Sequence, residues 1–274
     1  MKDLTPFRTK LSENEISAFN EKGYHIHDPL FSDAEIVEIR QACFEVCAGT
    51  YETGIEPDER FWNPGDDPLA MHKIDNCWKS NRTILAAVTS PRLGHIAAQL
   101  IGVSEMRLWH DQLSWKPANG GKVATWHQDW AYWQMIRECK TMSCWIALND
   151  VTIDGGPMIY LEGSHKTGLI PKPKVISGED EMYPDLPELK GLREVPVIIP
   201  AGAVGFHHGL TFHGSGKNQS THDRVALVSH MLSGSCTYRP MDEHIVERKM
   251  RDYDEYPKDG DLFRGPQFPL VWEA

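Results

Sequence analysis

The sequence predicts a mainly β fold behind a layer of N-terminal helices, and three observations carry that expectation. Helical spacing of apolar residues is confined to the first part of the chain. From Met106 onward the chain breaks into short runs with alternation or β-rich composition, and Gly-, Asn- and Asp-bearing turn sequences separate those runs.

The first helix is expected in LSENEISAFNEKGYHI, where Ser12 is a candidate N-cap, Glu15 stands three residues on, Ile16 and Phe19 share a face and Gly23 ends the pattern. A second starts after Ser32-Asp33 and repeats Ile36, Ile39, Cys43, Phe44 and Cys47 before Gly49. A third covers Pro91 to Ile101 and is again followed by a glycine. A Pro- and Gly-bearing loop from Glu56 to Pro68 interrupts this layer. The strand candidates are MRLWHDQLSWK, VATWHQDW, MSCWIALNDV, MIYLEG, REVPVII, AVGFHHG and RVALVSHML, with Ala118-Asn119-Gly120-Gly121 and Asp154-Gly155-Gly156-Pro157 as turns. Strands this short and this closely spaced suggest a sandwich, jelly roll or barrel. Pro171 to Leu192 is a polar, acidic insertion too long for a hairpin, and reads either as a lid or binding loop or as plain surface. With no repeat or low-complexity tract, the simplest organisation is one domain over 1–274: a helical layer to about 105, a β core over about 106–235 and a tail over 240–274.

Composition narrows the function. The net charge of -11, from 28 Lys plus Arg against 39 Asp plus Glu, repels phosphate backbones and anionic membranes, so no nucleic acid and no membrane is expected as partner. The N-terminus has no apolar core after its charges and no long apolar run follows, which reads as cytoplasmic. The 6 cysteines form no CxxC pair and read as reduced packing thiols.

Chemistry concentrates at Trp126-His127-Gln128-Asp129-Trp130. Residues two apart on a strand point the same way, so His127 and Asp129 can present an imidazole and a carboxylate to one point. Two histidines and one carboxylate on one face of an octahedron leave three positions open, the arrangement of a non-haem iron oxygenase. With 13 histidines in the chain, His-x-Asp alone carries little, and the third ligand has to come from His207, His208, His213, His222 or His230. The segment Phe212-His213-Gly214-Ser215, followed by Arg224 nine residues after the serine, favours His213. A buried arginine needs a counter-charge; a dicarboxylate cosubstrate supplies one, and Asp223 or Asp150 is the alternative.

His127-Gln128-Asp129, Trp145 in SCWIALND, Gly155-Gly156-Pro157 with Gly163-Ser164-His165, and His213-x-Ser215 with Arg224 together resemble the phytanoyl-CoA dioxygenase family, over about Gly23 to Leu232. The resemblance implies a double-stranded β-helix, the cupin-like jelly roll, holding Fe(II) through His127, Asp129 and His213. It implies that Arg224 and Ser215 bind the distal carboxylate of 2-oxoglutarate, that Trp145 lines that pocket and that Gln112 touches cosubstrate or substrate. The implied reaction uses O2, releases succinate and CO2, and hydroxylates or otherwise oxidises a small molecule, with natural-product tailoring favoured over breakdown of a branched acyl-CoA. The presence of Asp129 disfavours halogenation, for which relatives carry a small residue there. Two alternatives differ in class: a non-catalytic metal-binding β-barrel that holds a ligand, and a zinc hydrolase, for which no general base can be assigned.

Candidate pocket residues are Trp130, Tyr132 and Trp133, which otherwise read as core aromatics, and His72 and Lys73, which otherwise read as a hinge. His110, His165, His222 and His230 have no assignable partner and read as packing or surface positions. The tail's closing apolar residues, Phe263 to Trp272, are expected to fold back on the body or to join a second copy in a homo-oligomer.

Overall fold

Ser12 and Ser32 each start a helix through a complete capping box, the serine hydroxyl taking the N3 backbone N–H while Glu15 or Glu35 reaches back. They open α1 (Glu13–Lys22), which Gly23 ends at φ 82, and α2 (Asp33–Cys47). Two more helices follow, α3 (Arg82–Val88), which the sequence reading missed because seven residues give barely two turns of periodicity, and α4 (Pro91–Ile101), with its proline in the first turn. The stretch Arg82–Ile101 is apolar enough by length and composition to cross a membrane, at a mean hydropathy of 1.2, but it breaks between the two helices and is 56% buried inside the fold.

The computed structural model describes residues 7–170, 186–241 and 257–274, so most of the Pro171 to Leu192 insertion lies outside the described residues. Twelve strands follow in chain order among the described residues: β1 (Tyr24–His27), β2 (Glu59–Arg60), β3 (His72–Asp75), β4 (Glu105–Lys116), β5 (Ala124–His127), β6 (Thr141–Ala147), β7 (Met158–Leu161), β8 (Glu194–Pro196), β9 (Val204–His208), β10 (His213–Ser215), β11 (Arg224–Ser233) and β12 (Leu270–Glu273). They form two antiparallel sheets. The larger runs β1-β9-β6-β11-β4-β3-β2 with β12 beside β4, and the smaller runs β5-β10-β7-β8. This is the jelly roll, with one correction: the N-terminal region is not purely helical, because β1, β2 and β3 join the larger sheet. Strands of two to four residues are too short to show alternation.

The larger sheet is covered on both sides, which is why β6 and β11 are buried throughout and read as continuous apolar runs. One face, with Leu113, Cys144, Ile146, Phe206 and Leu227, packs on Ile36, Ile39, Ile84 and Ile96 of the helices. The other, with Trp145, Ala147, Ala226 and Val228, meets Tyr160 and Val197 across the barrel interior.

The described tail folds back on its own chain. Phe263 and Phe268 are buried against Trp109, β12 pairs with β4, and Trp272 stacks on His95 at 4.4 Å. Gly94 on α4 makes this seat possible, since a Cβ there would fall 2.7 Å from the Trp272 Cβ. Gly94→Ala should therefore lower the melting temperature: overpacking costs about 1–3 kcal/mol and outweighs the ~1 kcal/mol that alanine adds in a helix interior. A melting temperature raised by the alanine would show that the seat yields.

Candidate active site

Strand register brings the metal-type residues together. His213 on β10 pairs directly with His127 on β5, and Asp129 follows two residues past the end of β5 in a tight turn over Asp129–Tyr132. The Asp129 Oδ1 lies 3.5 Å from His127 Nε2 and 3.6 Å from His213 Nε2, and one donor atom from each of the three falls within 4.8 Å of the others. Both imidazoles are held in the same tautomer, because His127 Nδ1 meets the Thr125 carbonyl at 2.8 Å and His213 Nδ1 meets the Thr211 carbonyl at 2.9 Å. A carbonyl only accepts, so each Nδ1 carries the proton and each Nε2 keeps its lone pair. Gln128, between two of these residues, points the other way: its amide nitrogen donates to the Gly168 and Leu210 carbonyls and its oxygen accepts from Ile170 N, pinning the turn. Two neutral imidazoles and one carboxylate converging from one side suit a divalent ion of the iron class with an open face.

The other oxygen of Asp129 has its own partners. Ser143 Oγ donates to Oδ2 at 2.5 Å and His207 Nε2 lies 3.1 Å away, while His230 Nδ1 sits 2.7 Å from Ser143 Oγ. Burial alone would raise the Asp129 pKa, but the imidazoles of His213, His127, His207 and His230 hold it well below the usual carboxylate range. The default reading of His230 as packing is thereby corrected. It stacks on His110 at 4.4 Å, and Trp133 meets both rings edge-on. Sequence reasoning missed this because the residues come from four different strands or turns. Of the remaining histidines, His208 accepts from Leu210 N, His165 contacts the Asn20 carbonyl and His222 is exposed.

A second cluster forms where β11 begins. Arg224 is buried, donates from Nη1 to the Ser114 carbonyl at 3.1 Å and hydroxyl at 3.0 Å, and lies 5.5 Å from the Trp145 ring, while its buried Nε has no partner among the described residues. Lys116, the residue opposite it in register, is fully buried and donates to Ser215 Oγ at 2.7 Å and to the Gly216 carbonyl. Every acceptor these two cations reach among the described residues is a hydroxyl or a carbonyl. Asp223 and Asp150 are engaged elsewhere, with Ala118 N and Ala201 N, so the alternative counter-ions are ruled out. Burial and the neighbouring Arg224 push the Lys116 pKa down to about 6, and burial pushes Arg224 down to about 10. Two buried cations without an acid form a receptor for an anionic group. Lys116 escaped the sequence reading because its place opposite Arg224 is set only by the pairing of β4 with β11.

Ser215 thus reaches Lys116, and it links the two clusters because it stands two residues after His213 on the same strand. Gln112 shares the strand face of Ser114 and Lys116 and donates to Asp75 Oδ1 at 3.0 Å. Lys73 also faces Asp75, at 3.7 Å, and lies over the Phe61 ring. His72 is not part of the site. Adjacent strand residues point to opposite faces, and its ring is sandwiched between Trp62, at 3.7 Å, and Trp115, at 4.4 Å, on the helical side. Of the three aromatics after the metal motif, Tyr132 packs edge-on against His127, Trp133 reaches His110 and His230, and Trp130 is structural, donating to the Ile136 carbonyl.

This architecture has known counterparts. The carbocyclase SnoK, a non-haem α-ketoglutarate-dependent enzyme from nogalamycin biosynthesis, superimposes with a TM-score of 0.75 and 26% identity over 96% of this chain and 97% of its own. The ectoine dioxygenase of Bordetella bronchiseptica is 26% identical over 266 residues, covering 89% of this chain and 84% of that protein. The human peroxisomal phytanoyl-CoA dioxygenase is 23% identical over 80% of this chain and 68% of its own length. The model of the phytanoyl-CoA dioxygenase (PhyH) family matches residues 19–226, most of the chain and every strand that contributes to the two clusters up to the start of β11, and the chain belongs to that family.

Proposed function

We propose that this protein is an Fe(II)- and 2-oxoglutarate-dependent oxygenase that oxidises a small-molecule metabolite. The observation that carries the reading is the pairing of a His127, Asp129, His213 cluster with a buried Arg224 and Lys116 that have no acidic partner among the described residues, joined through β10. His127, Asp129 and His213 would hold the iron, which when loaded with 2-oxoglutarate and O2 supplies the oxidising power, with succinate and CO2 released. Arg224 and Lys116 would bind the far carboxylate, with Ser215 holding the lysine in place. Trp145 walls that end of the site. Gln112, Lys73, Tyr132 and Trp133 are the candidates for substrate contact, and the tight packing around Arg224 and Trp145 keeps water from competing for the cations. This division explains why the metal end is polar and partly open, with His127 at 28% side-chain exposure, while the anchor end is closed.

A biosynthetic role is favoured by the likeness to a nogalamycin-pathway enzyme and by the net charge of -11, which opposes a polyanionic acyl-CoA. We also read the chain as one domain. Among the described residues the tail aromatics Phe263 and Phe268 are buried in the chain's own fold, while Leu262 and Leu270 stay exposed as candidates for a homo-oligomer contact. A purely ligand-holding barrel would not need a dicarboxylate receptor beside an open metal face. Succinate release, measured against a panel of small metabolites, tests the proposal: substrate-stimulated succinate supports it, and a metal-loaded protein that consumes no 2-oxoglutarate under any condition contradicts it.

The anchor also predicts a proton signature. With its pKa near 6, Lys116 is mostly neutral in the free protein at about pH 8, and a bound carboxylate favours its charged form. Binding of 2-oxoglutarate should then take up close to one proton at about pH 8 and almost none well below pH 6, with affinity falling as pH rises between. Calorimetry in two buffers of different ionisation enthalpy reads this directly, and Lys116→Met should abolish the uptake.

A further inference from the structure

We infer that His207 is a positioning residue that, with Ser143, keeps Asp129 a one-oxygen ligand and so keeps the metal face open; the inference rests on the ligand assignment above. The donor and acceptor count leads there. Asp129 Oδ2 is a carboxylate oxygen and can only accept, so Ser143 gives it its O–H and His207 gives it the Nε2–H. Having spent its proton, Ser143 Oγ must accept from His230 Nδ1–H. On the far side of the ring, His207 Nδ1 lies 3.2 Å from the Tyr160 hydroxyl, which can donate to it. Both outer histidines thus have a defined tautomer, and both chains of donors end on the same oxygen.

The consequence is geometric. Oδ1 faces His127 and His213 at 3.5 and 3.6 Å, whereas Oδ2 is turned away and already saturated. An oxygen with two charge-assisted hydrogen bonds is costly to strip, so chelation through both oxygens is disfavoured. Chelation would occupy a fourth position and leave too few for cosubstrate and O2. The support extends one layer further, into the backbone. Tyr160 stands on β7 of the smaller sheet, and its hydroxyl reaches His207 across the interior only because residue 205 is glycine; a Cβ there would lie 2.5 Å from the hydroxyl oxygen. Buried His207 is therefore held from both ends, by Asp129 and by Tyr160.

The test compares wild type with His207→Phe, His207→Gln and Tyr160→Phe, by anaerobic Fe(II) titration and by the visible absorption that forms when 2-oxoglutarate joins Fe(II). Outer-sphere partners of metal ligands typically matter by 10–100-fold in affinity. We expect His207→Phe to weaken Fe(II) binding by about that factor and to displace the absorption maximum, with the metal-free protein folded but less stable. His207→Gln retains an N–H for Oδ2 and should recover affinity to within about threefold of wild type. Tyr160→Phe, which keeps the ring and its packing, should weaken Fe(II) binding by several-fold and decides the matter if the phenylalanine at 207 does not fold. Unchanged iron affinity and absorption in His207→Phe, or unchanged affinity in Tyr160→Phe, overturns the inference. Absence of any absorption in iron-loaded wild type instead overturns the ligand assignment beneath it.

Discussion

Arg224→Met should weaken 2-oxoglutarate binding by about a hundredfold while the metal-free protein melts no lower than wild type. Truncating one partner of a buried charge pair typically costs about 2–5 kcal/mol, and about 2.7 kcal/mol is a hundredfold in affinity. Methionine keeps contact with Trp145, 5.5 Å from the guanidinium, so the loss is one of charge and hydrogen bonding. The unchanged stability follows from the lack of an acidic partner for Arg224 among the described residues. Arg224 is a buried cation whose charge burial already penalises, so removing it takes an uncompensated charge out of the free protein. Arg224→Lys should not rescue, since an ammonium cannot present the planar fork to a carboxylate. Calorimetric titration with 2-oxoglutarate checks binding and thermal denaturation checks stability; wild-type affinity in the methionine variant would move the anchor elsewhere.

Asp129→Ala should strip the protein of iron and abolish 2-oxoglutarate turnover. Its carboxylate supplies the negative charge of the metal cluster and also absorbs the hydrogen bonds of Ser143 and His207, so its removal leaves buried donors without an acceptor. Each such orphan costs about 1–3 kcal/mol. The affinity loss should exceed the roughly 10–100-fold typical of an outer-sphere partner, and the variant should also be less stable, in contrast to Arg224→Met. Iron content after dialysis and the melting temperature of the metal-free protein check both halves. A variant that holds one iron per chain would remove Asp129 from the ligand set.

Much of this was legible in the sequence, and what was not has identifiable physical causes. Capping boxes at Ser12 and Ser32 are local, as are the alternating runs, so the helices and most core strands could be placed. His127 and Asp129 announce themselves because strand alternation aligns them, and His213 because Ser215 and Arg224 follow it at set spacings. Lys116, Ser143, His207 and His230 gave no such signal. Each is an ordinary strand residue whose meaning depends on register, Lys116 opposite Arg224 and Ser143 between His207 and His230, and register is a property of pairing between distant segments. His72 went wrong for the same reason in reverse: one step along β3 separates the face of Lys73 from the face that packs on Trp115.

The measurement that most directly tests the central claim is anaerobic addition of 2-oxoglutarate to the Fe(II)-loaded wild-type protein, followed by visible absorption. The account predicts a metal-to-ligand charge-transfer band that requires both Fe(II) and 2-oxoglutarate and saturates at one equivalent of each. A folded, iron-loaded protein that develops no band would contradict the oxygenase reading at its centre.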